Sequence, residues 1–70
     1  MEIKFKRVIE GWYKTEYKGY TGEVSKNHDE GNWSWEVYDP QGYLIDGDVT
    51  STYKDGKWSI REMIEEGLSK

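Results

Sequence analysis

Alternation of apolar and polar residues is cleanest between Trp33 and Val49. Trp33, Trp35 and Val37 alternate with Ser34, Glu36 and Tyr38; further on, Tyr43, Ile45 and Val49 alternate with Leu44, Asp46 and Asp48. A period of two marks strands with one buried face, so the segment predicts two of them. Asp39-Pro40-Gln41-Gly42 between them predicts the turn that folds one onto the other. Pro40 presets φ for the second position of a type I turn, Asp39 offers an acceptor to the backbone, and Gly42 tolerates φ > 0.

The same pattern, read along the rest of the chain, predicts two earlier strands and a late helix. In Met1–Ile9, Ile3, Phe5 and Ile9 fall on one face and Lys4, Lys6 and Val8 on the other, with Arg7 a misfit on the apolar face. Gly11 ends or bends this strand, and Trp12-Tyr13 follow at once. Tyr17–Ser25 reads as a second strand interrupted by Gly19 and Gly22, where a bulge or a closely packed group such as a Trp ring is expected. The polar stretch Lys26–Asn32 reads as a loop and Ser51–Lys57 as a connection with an Asp55-Gly56 turn. Ser59-Ile60-Arg61-Glu62 then fits a capping box, with Trp58 and Met63 placed to staple it. Ile60, Met63, Ile64 and Leu68 form one apolar stripe, and Gly67 is a stop signal. A helix of about two turns is too short to stand alone and must lie on the sheet. The expectation is an α+β fold: a four-stranded antiparallel β-meander with one short C-terminal α-helix packed on one face (ββββα), in a single domain over residues 1–70.

Composition sharpens this picture. Seventy residues without cysteine exclude a disulfide or thiolate-zinc staple, and the absence of alanine argues against a helical bundle. Eleven of the apolar residues are Trp, Tyr or Phe, so large rings substitute for chain length in the core. Trp33, Trp35 and Trp58 are expected inside; for Trp12, Tyr13, Tyr17 and Tyr38 the pattern favours neither core nor surface. Homodimerisation would add buried area to so thin a core. No apolar run matches a signal peptide or a membrane span, which leads to the expectation of a soluble, cytoplasmic protein with no membrane partner.

Charge is unevenly placed. Residues 1–28 carry a net +2 and residues 29–70 a net −6, for the overall −4. Binding to nucleic acid by charge alone is disfavoured, and the acidic half points to a protein partner with a basic surface. Catalytic chemistry finds no footing. His28 is the only histidine, and its neighbours Asp29 and Glu30 point different ways in an extended segment. The glycines lack phosphate-loop or dinucleotide spacing. No catalytic residue, metal or cofactor is expected.

Two surfaces remain. Asp46 and Asp48, spaced ~6.5–7 Å along a strand, with Glu36 on the neighbouring strand and Asp39 at the turn, would form an acidic ridge resembling a row of phosphates. Tyr38 and Tyr43 would anchor it. The alternative is a stacking surface for single-stranded nucleic acid, with Trp12, Tyr13, Tyr17 and Tyr20 interleaved with Lys14 and Lys18.

The segment WSWEVYDPQGYLIDGDV followed by a short capped helix resembles small, acidic, single-domain proteins encoded by phages, over roughly residues 32–68. Some phage proteins of this size inhibit host defence or host polymerases, and the resemblance implies the same class here without assigning any residue a role. The leading expectation is therefore a non-enzymatic protein-binding module, a phage-type inhibitor that occludes a host nucleic-acid-handling protein through an acidic and aromatic surface. A single-stranded nucleic-acid binder and a structural or dimerisation domain are the alternatives.

Overall fold

The computed structural model describes residues 3–69. Its elements are β1 (Lys6–Ile9), β2 (Trp12–Tyr17), β3 (Tyr20–Asn27), β4 (Asn32–Tyr38), β5 (Leu44–Thr50) and α1 (Tyr53–Leu68). Every strand pairs antiparallel with its sequence neighbours, in the order β1-β2-β3-β4-β5. The α+β meander with a C-terminal helix is as expected, with five strands rather than four.

The extra strand is β2, and glycine chemistry hides it. Gly11 and Gly19 read in the sequence as interruptions; in the fold they are the turns. Ile9 pairs with Trp12 across Glu10-Gly11, and Tyr17 with Tyr20 across Lys18-Gly19. Lys18 and Gly19 both have positive φ, 50° and 88°, the pattern of a two-residue type I′ turn whose twist matches that of the flanking strands. The strand expected over Tyr17–Ser25 is therefore the tip of β2 joined to most of β3. The Lys26–Asn32 loop shrinks likewise, because Asn27 pairs with Asn32 and its Nδ2 donates to Asn32 Oδ1 at 2.7 Å and to Ser34 Oγ at 2.8 Å. At the other end of the chain, Met1 and Glu2 of the expected first strand lie outside the described residues.

The β4–β5 turn follows its residues. Asp39 Oδ1 accepts the N–H groups of Gln41 and Tyr43, both at 2.9 Å, and Gly42 N–H donates to Asp39 O with its φ at 90°.

The helix is longer than its strongest cap signal implies. It begins at Tyr53, with Thr52 as N-cap accepting Asp55 N–H at 3.1 Å, and runs for 16 residues. Ser59 lies inside it, its hydroxyl donating to Asp55 O at 2.9 Å, so the Ser59–Glu62 box is not the start. Thr52 and Asp55 carry a similar cap signature seven residues earlier, and starting there brings Tyr53 and Gly56 onto the sheet-facing stripe with Ile60 and Ile64. Gly67 does not stop the helix; the Tyr20 ring packs against it. Trp58 is 61% exposed, contrary to the expected core position and staple. It sits two residues after Gly56, about 200° around the helix from the packed stripe.

The core is small. Val24, Val37, Ile60 and Ile64 are fully buried, and Ile3 and Trp35 nearly so. Phe5, Tyr13, Tyr17, Tyr20, Trp33, Tyr53, Met63 and Leu68 pack around them. Ile60 occupies the space over Gly22 where a Cβ would lie, so an aliphatic branch takes the place expected for a Trp ring. On β1 a register shift between Arg7 and Ile9 turns Ile9 to the face away from the helix, where it is exposed rather than joined with Ile3 and Phe5. Arg7, opposite Tyr13 on the helix side, stays in solvent because β1 lies beyond the strands that α1 covers.

Candidate functional site

Residues directly opposite in neighbouring strands share a face, so register decides which candidate residues meet. Trp35 pairs with Asp48 and Val37 with Asp46, which places both aspartates on the helix side of the sheet at its β5 rim. Glu36 pairs with Gly47 and points to the opposite, open face. The acidic ridge expected from Glu36, Asp46 and Asp48 is thus split between two faces. Adjacent residues of one strand always point opposite ways, and this register puts Glu36 level with Gly47. A second shift completes the separation. Val37 pairs with Asp46 but Tyr38 with Leu44, so Ile45 is an extra residue and Leu44 turns to the open face.

The individual carboxylates have local work. Asp46 Oδ1 accepts Gly47 N–H and Asp48 Oδ1 accepts Val49 N–H, each at 2.8 Å. These are main-chain donors of a strand with no neighbour on one side, so the two side chains close an edge that would otherwise invite another strand. Asp39 builds its turn. Glu36 Oε2 accepts the Tyr38 hydroxyl at 2.8 Å, and this bond, with the charge of Glu36, holds the Tyr38 phenol above its ordinary pKa.

What β5 and the residue before it present to solvent differs from the expectation of a buried apolar side. Tyr43 is 69% exposed, Leu44 58% and Val49 52%, and Ile45 is exposed as well. With Asp46 and Asp48, which point to the other face, they make the β5 edge a mixture of aliphatic, aromatic and acidic groups. Leu44, Ile45 and Val49 were not among the expected binding residues. Their signal is Asp46-Gly47-Asp48, two carboxylates and a glycine in mid-strand, which marks an edge strand rather than a half-buried one.

The aromatic and lysine set is dispersed. Trp12 and Lys14 lie on the open face, with Trp12 Nε1 donating to Glu23 Oε1 at 3.0 Å. Tyr13, Tyr17 and Tyr20 lie on the other face and pack on the core. Tyr13 stands 4.3 Å from Tyr53 and 6.5 Å from Trp33 between ring centroids. Burial raises the pKa of the Tyr53 phenol, with a further contribution from Tyr13 and an opposing one from Arg61. Lys18 lies over the adjacent Tyr17 ring, 5.6 Å from its centroid. One stacking platform therefore does not form. His28, Asp29 and Glu30 are exposed in the β3–β4 turn, and among the described residues no group of three or more His, Asp or Glu side chains is placed to hold a metal ion. Among them, too, no helix is long and apolar enough to cross a membrane.

Comparison of the chain with protein-family models, curated proteins and solved structures found no match.

Proposed function

We propose that the chain is a non-enzymatic protein-binding module whose contact surface is the β5 edge together with the turn that leads into it. The observation that carries this reading is the exposure of Leu44, Ile45 and Val49 on β5 and of Tyr43 just before it, in a fold with only six buried apolar residues among those described. Large apolar side chains left in solvent along one edge point to an interaction site. Asp39, Asp46 and Asp48 on the same edge add negative charge, which selects a partner that combines basic and apolar groups. Because Asp46 and Asp48 occupy the edge donors, recognition runs through side chains rather than by addition of a strand. The occluded partner is then a nucleic-acid-handling protein in the sense that such proteins expose basic surfaces, but the split acidic row gives no support to phosphate mimicry.

Two double variants separate charge from edge protection. Asp46→Asn/Asp48→Asn keeps both Oδ1 acceptors and removes the charge; Asp46→Lys/Asp48→Lys reverses the charge and keeps the edge blunt. With the domain as bait in a nuclease-treated bacterial lysate, the wild type is expected to retain one dominant protein. The Asn variant should retain it weakly and the Lys variant not at all, all three giving the same far-UV spectrum. Equal capture by all three would remove the β5 edge from the interface. Recovery of nucleic acid alone, lost on raising salt, would favour the stacking reading through Trp12 and Lys14.

A further inference from the structure

Four of the ten basic side chains gather on the helix side of the sheet, around a cluster of rings that the register assembles. Lys26 and Trp33 are direct cross-strand partners, as are Arg7 and Tyr13, and Tyr13, Val24 and Trp35 put both pairs on that one face. On α1, Tyr53, Lys57 and Arg61 follow one another at intervals of four residues, along one line of the helix surface. Tyr53 joins that line to the strands. Its ring centroid stands 4.3 Å from that of Tyr13 and 5.3 Å from that of Trp33. Cations flank the rings. Lys57 Nζ lies 4.5 Å from the Tyr53 centroid and Lys26 Nζ 6.0 Å from the Trp33 centroid. Arg61 Cζ is 5.6 Å from the Phe5 centroid, and its positive charge also acts on the Tyr53 phenol. The three rings are half-buried rather than enclosed, and Arg7 and Lys26 are exposed. Among the described residues, none of the four cations is in an ion pair. An acidic chain thus keeps unneutralised positive charge and accessible rings in one place.

We propose that this patch binds single-stranded nucleic acid, with bases against Tyr13, Trp33 and Tyr53 and phosphates on Arg7, Lys26, Lys57 and Arg61. Rings beside cations are what such a strand requires, since each unpaired base offers a π-face and each link between bases carries a charge. Lys57 and Arg61, about 6 Å apart along the helix axis, can serve separate phosphates, and the arginines add planar forks that match phosphate oxygens in pairs. A duplex keeps its base faces inside the stack and an acidic peptide has none, so the rings select the single strand. The net charge of −4 opposes this only weakly, because exposed charges beyond the screening length contribute little. Of the residues that the sequence suggested for this chemistry only Tyr13 takes part; folding supplies Trp33, Tyr53 and their cations. The patch shares no residue with the β5 surface, and the inference does not rest on the function proposed there.

Fluorescence anisotropy of a labelled oligothymidylate of about eight nucleotides, titrated with the full chain at about 0.1 M salt, tests it. Binding is expected, with quenching of Trp fluorescence and a log–log salt slope no steeper than about −3 for four neutralised phosphates. Lys26→Gln/Lys57→Gln should weaken binding at least about tenfold with the far-UV spectrum unchanged. Lys6→Gln/Lys14→Gln removes the same charge from the open face of the sheet and should change affinity by less than about twofold. An abasic strand of the same length should bind at least about fivefold more weakly, for want of stacking. No binding of oligothymidylate, or equal losses in the two double variants, would overturn the proposal. So would an abasic strand that binds as well, since the rings would then have no part. Polyglutamate binding as tightly as the oligonucleotide would also overturn it and make the patch a surface for acidic peptides.

Discussion

Ile60 and Gly22 form the tightest joint between helix and sheet. A Cβ on Gly22 would run into Ile60 Cγ2 and come within 3.1 Å of Thr15 Cγ2. Gly22→Ala should therefore cost roughly 1–3 kcal/mol by overpacking, although alanine is the better strand residue. Adding Ile60→Val should return part of that loss, because the two changes share one volume. Denaturant unfolding of the single and double variants measures it, and strict additivity would count against the joint. Tyr53 sets a second expectation. Its phenol is held above the ordinary pKa of 10.0, chiefly by burial. The folded state thus keeps a proton that the unfolded state releases first. The resulting stability is present below pH ~10 and is lost as pH rises through the raised value. Tyr53→Phe should flatten the alkaline decline, with Tyr38 sustaining the remainder; an unchanged slope in denaturation midpoints between about pH 8 and about pH 11 would refute this.

Elements were legible where several local signals agreed. The β4–β5 hairpin could be read because Asp39, Pro40 and Gly42 each favour the same turn and the strands alternate cleanly around it. β2 could not, since a glycine after an ordinary lysine serves equally as a strand interruption and as the second residue of a turn. The choice depends on pairing partners that no local window contains. The helix start was ambiguous between two similar signals, Thr52-x-x-Asp55 and Ser59-x-x-Glu62, and the sheet decided it by burying Gly56. A pair of substitutions checks that decision. Thr52→Ala should cost about 1 kcal/mol through loss of the cap, whereas Ser59→Ala should be neutral or slightly stabilising, alanine being the better residue in mid-helix. The opposite ranking would restore Ser59 as the cap.

At the scale of the molecule, the candidate surface was half legible. The residue types, exposed carboxylates and surplus aromatics, stand in the sequence, but their distribution over two faces does not. One register shift at Ile45 and the level pairing of Glu36 with Gly47 separate groups that simple alternation would unite. Tyr13, Tyr17 and Tyr20 went inward because a sheet with so few aliphatics needs rings to meet α1. The result is a polarised body, with Lys6, Arg7 and Lys14 distributed over the two faces of the β1–β2 edge, an acidic rim at the β5 edge and a helix-covered core between.

The uninterrupted neighbour-to-neighbour order of the strands also bears on how the molecule assembles itself. Each hairpin is closed by a short reversal, so little chain entropy is spent before pairing begins, and topologies dominated by nearby partners fold quickly. The helix follows the strands in the chain and docks on the platform they form. Whenever the helix lifts away, Val24, Trp35 and Val37 lose their cover, so the sheet's aggregation hazard is governed by how firmly α1 is docked.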